Sequence, residues 1–111
     1  MATKKRKTAT AAQVESWKKQ YGERLKKFEV KTSTNKKVPA KVAYFIKPDL
    51  QIVQAADAEH PNDPIDNVMF KYDNCFLGGD EEFENNDEFK FSLARSISQS
   101  FRILIGEVKN V

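Results

Sequence analysis

Apolar residues recur along this chain at two periods, and the change of period marks the change of element. Val14, Trp17, Tyr21, Leu25 and Phe28 fall three or four apart. That spacing predicts one amphipathic helix over 11–28, with Lys18, Lys19, Glu23, Lys26 and Lys27 on its remaining face. Gly22 inside it costs roughly 1 kcal/mol relative to Ala, so the helix depends on docking. From Glu29 the pattern alternates and β-branched residues appear: Val30, Thr32, Thr34. Asn35-Lys36-Lys37 reads as a turn, and Pro39 places the start of a second strand just after it. In that strand Val42, Tyr44 and Ile46 share one face, and Ala43 and Phe45 the other. Apolar residues on both faces predict a strand sandwiched between layers. The segment 29–47 is therefore a β-hairpin.

The helical period returns after Pro48-Asp49. Leu50, Ile52, Val53 and Ala56 form one buried side. Glu59 to Pro64 is a loop in which Asp63 can cap a helix with Pro64 at its first position. Ile65, Val68, Met69, Tyr72, Cys75 and Phe76 continue that helix, which Gly78-Gly79 is expected to stop. Asp80 to Glu88 is expected to be a capped turn with a solvated acidic surface. Asn86 or Asp87 opens a last helix through about Ile105, with Phe89, Leu93, Ile97, Phe101 and Leu104 as its stripe. The predicted fold class is α+β: one hairpin packed with three to four α-helices in a single small domain. The domain spans 11–111, its helical part 48–105, and residues 1–10 form a disordered basic arm. The open edges of the hairpin could accept a strand from another chain.

The chain has 111 residues, enough for one modest core, and is 40% hydrophobic and 32% charged, which excludes a disordered class. No apolar run approaches the length of a membrane span. No apolar stretch follows Lys4, Lys5, Arg6 and Lys7, so no secretory signal is expected. The single cysteine rules out an internal disulfide and suits a reducing cytoplasm. The net charge of +3 conceals a polarity. Residues 1–47 carry 14 Lys/Arg against 3 Asp/Glu, and residues 48–111 carry 5 against 13. This asymmetry suggests self-association, or a basic arm seeking an acidic partner; equally, the halves could neutralise each other within one fold.

The chemistry-bearing residues are few. His60 sits in a Pro-rich loop and Cys75 on an apolar helical face, so neither forms a nucleophile pair or a metal set. Cys75 reads as a small core residue. Gly78-Gly79-Asp80 lacks the Lys-Ser/Thr of a phosphate loop, and Asp80, Glu81, Glu82 and Glu84 would repel phosphate. Those acids do not follow the EF-hand spacing either. Neither a catalytic residue, a metal site nor a cofactor is expected. Lys4, Lys5, Arg6 and Lys7, extended by Lys18, Lys19, Lys26 and Lys27, could bind a phosphate backbone without reading sequence.

Two segments carry a family resemblance. Val42-Ala43-Tyr44-Phe45-Ile46-Lys47-Pro48-Asp49 and Asp73-Asn74-Cys75-Phe76-Leu77-Gly78-Gly79-Asp80-Glu81-Glu82, followed by Asn86-Asp87-Glu88, are similar to small proteins of Bacteroidetes phages and prophages. Those proteins resemble the tail assembly chaperones of long-tailed phages. The resemblance covers about residues 28–105 and is sharpest over Asn74 to Glu82; the helix from Val14 and the basic arm look like an N-terminal addition. It implies a non-enzymatic protein that binds a tail component, a tape measure or tail tube subunit, in the cytoplasm of a bacterial host. Retention in the virion is compatible with it.

The expected partner surface is a helical groove lined by Met69, Tyr72 and Phe76 and faced by Phe89, Leu93 and Ile97. The same residues would also serve as a closed core. The alternative functions are a small nucleic-acid-binding protein using Lys4, Lys5, Arg6, Lys7, Lys18 and Lys19, and a minor structural virion protein.

Overall fold

The computed structural model describes residues 9–101 and 106–111. Its elements are α1 (Ala11–Tyr21), a single 3-10 turn (Gly22–Arg24), β1 (Leu25–Val30), β2 (Lys41–Ile46), α2 (Leu50–Glu59), α3 (Pro64–Cys75), β3 (Phe76–Gly79), α4 (Glu82–Asn85) and α5 (Asp87–Ser100). The fold is α+β, one small domain, as the hydrophobic pattern predicts. The sheet has three strands in the order β1-β2-β3, both pairs antiparallel.

Helix starts follow the polar residues that satisfy their first amides. At α1, Gln13 N donates to Thr10 Oγ1 (3.2 Å) while Thr10 N donates to Gln13 Oε1 (3.0 Å), a reciprocal capping box. Asp49 accepts from Ile52 N at α2, and Asp63 accepts from Ile65 N and Asp66 N at α3, with Pro64 in the first turn. Asn86 accepts from Glu88 N and Phe89 N at α5. Replacing Asn86 with Ala should therefore cost about 1 kcal/mol, measured by urea unfolding.

Three boundaries differ from the sequence expectation. The first helix ends at Tyr21, not Phe28, because Gly22 adopts a positive φ of 58° and turns the chain. Leu25 and Phe28 thus belong to β1, and the hairpin pairs Leu25–Val30 with Lys41–Ile46 across a ten-residue connection. Gly78-Gly79 does not stop a helix. Helix α3 ends at Cys75 and the two glycines form part of β3, a strand the local helical spacing concealed. The acidic segment is not simply a solvated turn, since it contains α4, whose Phe83 is completely buried. The last helix runs to Ser100; Leu104 and Ile105 lie outside the described residues.

Strand β2 is central, which explains its apolar residues on both faces. On one side Ala43 and Phe45 join Tyr72, Cys75, Phe76, Phe83, Leu93, Ala94 and Ile97 in the core. On the other, Trp17 of α1 packs on Tyr44, ring centroids 5.8 Å apart. The first helix therefore docks on its own domain, although Val14, Trp17 and Tyr21 are only half-buried. The charge polarity is partly neutralised within the fold: Arg24 pairs with Asp49 (3.8 Å) and Lys41 with Glu82 (2.6 Å).

Candidate functional site

At strand β3 the segment from Asp73 to Glu82 meets the segment from Val42 to Asp49. Val42 N donates to Asp80 Oδ2 (2.8 Å), and Asp80 N donates to Val42 O (2.9 Å). Gly79 lies against the same stretch of β2: a Cβ there would stand 2.4 Å from Val42 O and 2.6 Å from Ala43 Cα. Only glycine allows this approach. Gly78 faces the other way, and a Cβ there would come within 3.1 Å of the Trp17 ring. Cys75 is fully buried, and its thiol is pushed up to about 11 by that burial. It is a packing group and not a thiolate nucleophile. Gly79 and Asp80 thus close β3 onto β2, Gly78 leaves room for Trp17, and Cys75 packs in the core.

The proposed groove residues are brought together, but as core. Leu93 is completely buried, Tyr72 is 5% exposed and Phe76 is 7% exposed. Met69 and Phe89 are half-buried against them. The Tyr72 and Phe76 rings stack with centroids 5.1 Å apart, and Tyr72 OH donates to Phe83 O (3.0 Å). Phe83 meets Phe89 and Phe28 edge-on at 5.4 and 6.0 Å. Phe83 is completely buried in the same cluster, although it stands in a segment expected to be a solvated turn; a lone aromatic among acids was the only signal. Tyr72→Asp or Phe76→Asp should therefore unfold the domain, visible as loss of the cooperative thermal transition.

What stays open beside these rings is a cleft of about 240 Å³ lined by Tyr72, Asp73, Phe76, Glu84 and Lys90. Lys90 Nζ lies 5.5 Å from the Tyr72 ring centroid, a cation–π distance. Asp73 is exposed at the rim. A larger hollow of about 760 Å³ lies within the 31–40 connection, lined by Lys31, Lys36, Val38, Pro39 and neighbours. His60 is half-buried, its ring 6.0 Å from that of Phe70. Among the described residues no group of three or more His, Cys, Asp and Glu could hold a metal ion.

The basic candidates separate. Lys18 and Lys19 are exposed on the last turn of α1, with Lys18 Nζ 3.4 Å from Glu15. Lys4, Lys5, Arg6 and Lys7 lie outside the described residues. No helix among the described residues is long and apolar enough to cross a membrane.

The Glu82 carboxyl sits below the usual glutamate range, held there first by its hydrogen bond from Lys41. Asp63 is likewise lowered, chiefly by the backbone amide of Asp66. For a lowered carboxyl the stabilisation is present above its unfolded value and is lost as pH falls through the folded one. The melting temperature should hold across neutral pH and fall only in acid. In Glu82→Gln that acid-side fall should be shallower, which thermal melts across a pH series would check.

No protein family, curated protein or solved structure matches this chain.

Proposed function

We propose that this chain is a non-enzymatic phage or prophage protein that binds a tail component during virion assembly, in the manner of a tail assembly chaperone. The observation that supports it most is the junction of β2 with β3. The two segments that resemble those proteins pair with each other there, through Asp80 and Val42. The partner contact falls at the rim of the cleft over Tyr72 and Phe76, where Asp73, Glu84 and Lys90 offer both signs of charge beside an aromatic floor.

The test uses purified tail tube or tape measure protein diluted from denaturant with and without the full chain. Reduced light scattering that survives added salt and removal of residues 1–10 is the expected result. Asp73→Arg alters the rim without touching the core, and it should weaken the effect while leaving the melting temperature within a few degrees. Protection that disappears with salt or with residues 1–10 would refute the cleft and favour the nucleic-acid reading, in which Lys4 to Lys7, Lys18 and Lys19 act together.

A further inference from the structure

Strand β1 pairs only with β2 among the described residues, so its other edge is open. The register shows which groups point outward. Lys47 N donates to Arg24 O, so Arg24 and Lys47 form a hydrogen-bonded pair. Hydrogen-bonded and non-bonded pairs alternate along an antiparallel ladder. Lys26, Phe28 and Val30 therefore direct their backbone groups toward Phe45, Ala43 and Lys41. Lys27 and Glu29 direct theirs away from the sheet, while the outward N–H of Leu25 already donates to Gly22 O. The bulge in this sheet lies between Tyr44 and Phe45 on the β3 side, so the β1–β2 ladder is regular throughout.

We propose that the occupant of this edge is a second copy of the same chain, joined antiparallel through β1 in the register that sets Lys27 opposite Glu29 of the other copy. The proposal does not depend on the tail-assembly reading. Its argument is charge complementarity. A two-fold pairing can only match outward-facing residues with outward-facing residues, which leaves few registers. Centring the pair on Lys27 opposes two lysines. Centring it on Glu29 opposes two glutamates and also sets Lys27 against Lys31. Centring it on Lys26 opposes two lysines again. Centring it on Phe28 sets Lys27 against Glu29 twice, and no like charges meet. It also sets the two Phe28 side chains together at the two-fold, in a non-hydrogen-bonded pair where side chains come closest.

Phe28 is half-buried, its ring edge-on to Phe83, and leaves apolar surface at this edge for its twin. Within one copy, Lys27 Nζ already lies 2.8 Å from Glu29 Oε1, and both side chains are half exposed. The pair can exchange from one chain to the other without a new charge being buried. Lysines on an edge strand also discourage indiscriminate pairing. Of the registers centred on Lys26 to Glu29 they leave this one, and centring on Val30 would draw on Lys31, beyond the end of β1. The product is a continuous six-stranded sheet with closed two-fold symmetry, which does not propagate into a fibre.

The experiment is sedimentation velocity of the full chain over a concentration series, with parallel amide exchange by NMR. The expected result is a mass rising from 12.7 kDa toward twice that value, with the Lys27 and Glu29 amides gaining protection as it rises. Lys27→Glu alone and Glu29→Lys alone place like charges opposite each other and should each weaken dimerisation roughly tenfold. The double exchange Lys27→Glu with Glu29→Lys restores complementarity and should recover the dimer. All four chains should keep the same circular dichroism spectrum, since these side chains are exposed. A monomer at every concentration overturns the proposal. So does a dimer that ignores the single exchanges, or one that leaves the Lys27 and Glu29 amides unprotected.

Discussion

Gly79→Ala is expected to cost about 3 kcal/mol or more. The added methyl would meet Val42 O at 2.4 Å and Ala43 Cα at 2.6 Å. Both are backbone atoms of the central strand, so no rotamer change relieves the clash. Strand β3 would have to move off β2 and would lose the Asp80 bonds to Val42 that close it. Gly78→Ala makes an informative control. Its methyl would meet the end of the Trp17 side chain at 3.1 Å, and a half-buried ring on a lightly docked helix can yield. Urea denaturation should find the Gly79 variant far less stable than the Gly78 variant. Equal losses at the two positions would mean that the β2–β3 junction is not the tight point of the fold.

Phe83→Ala should be comparably severe, at about 3–5 kcal/mol. The side chain is completely buried and bridges three elements, touching Phe28 of β1 and Phe89 of α5 from its place on α4. Its carbonyl also receives the Tyr72 hydroxyl. Collapse of so short a helix into the vacated space would disturb that bond, so little of the loss can be recovered by relaxation. For a domain of this size the loss corresponds to a fall in melting temperature on the order of 10 °C or more. A variant that melts within a few degrees of the parent would show that α4 packs less tightly than described. A bulky apolar replacement, Phe83→Leu, should recover much of the stability.

The sequence carried the helices that have both a cap and a stripe. Asp49, Asp63-Pro64 and Asn86 each announce a start, and each begins a helix. The sandwiched strand at Val42–Ile46 was legible because its two faces are both apolar. Three features were not legible, each for a local reason. Leu25 and Phe28 continue a helical period by coincidence of spacing, and only the backbone at Gly22 redirects the chain into β1. Phe76–Gly79 has too few side chains to show alternation; it is a strand because its glycines fit against β2 and beside Trp17. Phe83 sits among Asp80, Glu81, Glu82 and Glu84, so local hydropathy hides a residue that tertiary packing buries.

The candidate site followed the same pattern. Met69, Tyr72, Phe76, Phe89 and Leu93 share one region of the fold, the core cluster. Spacing alone does not distinguish a groove from a core. The residue that decides it, Phe83, comes from an element the periodicity did not reveal. The open edge of β1 was foreshadowed by a hairpin with unpaired edges, but β3 occupies the other side of β2, so the edge strands among the described residues are β1 and β3.

The proposed binding of a tail protein is read by affinity purification of the tagged full chain from its native host, with and without nuclease. Mass spectrometry should identify a tape measure or tail tube protein in both samples, with recovery reduced by Asp73→Arg. Nucleoprotein that disappears with nuclease, and no tail protein in either sample, would contradict the account.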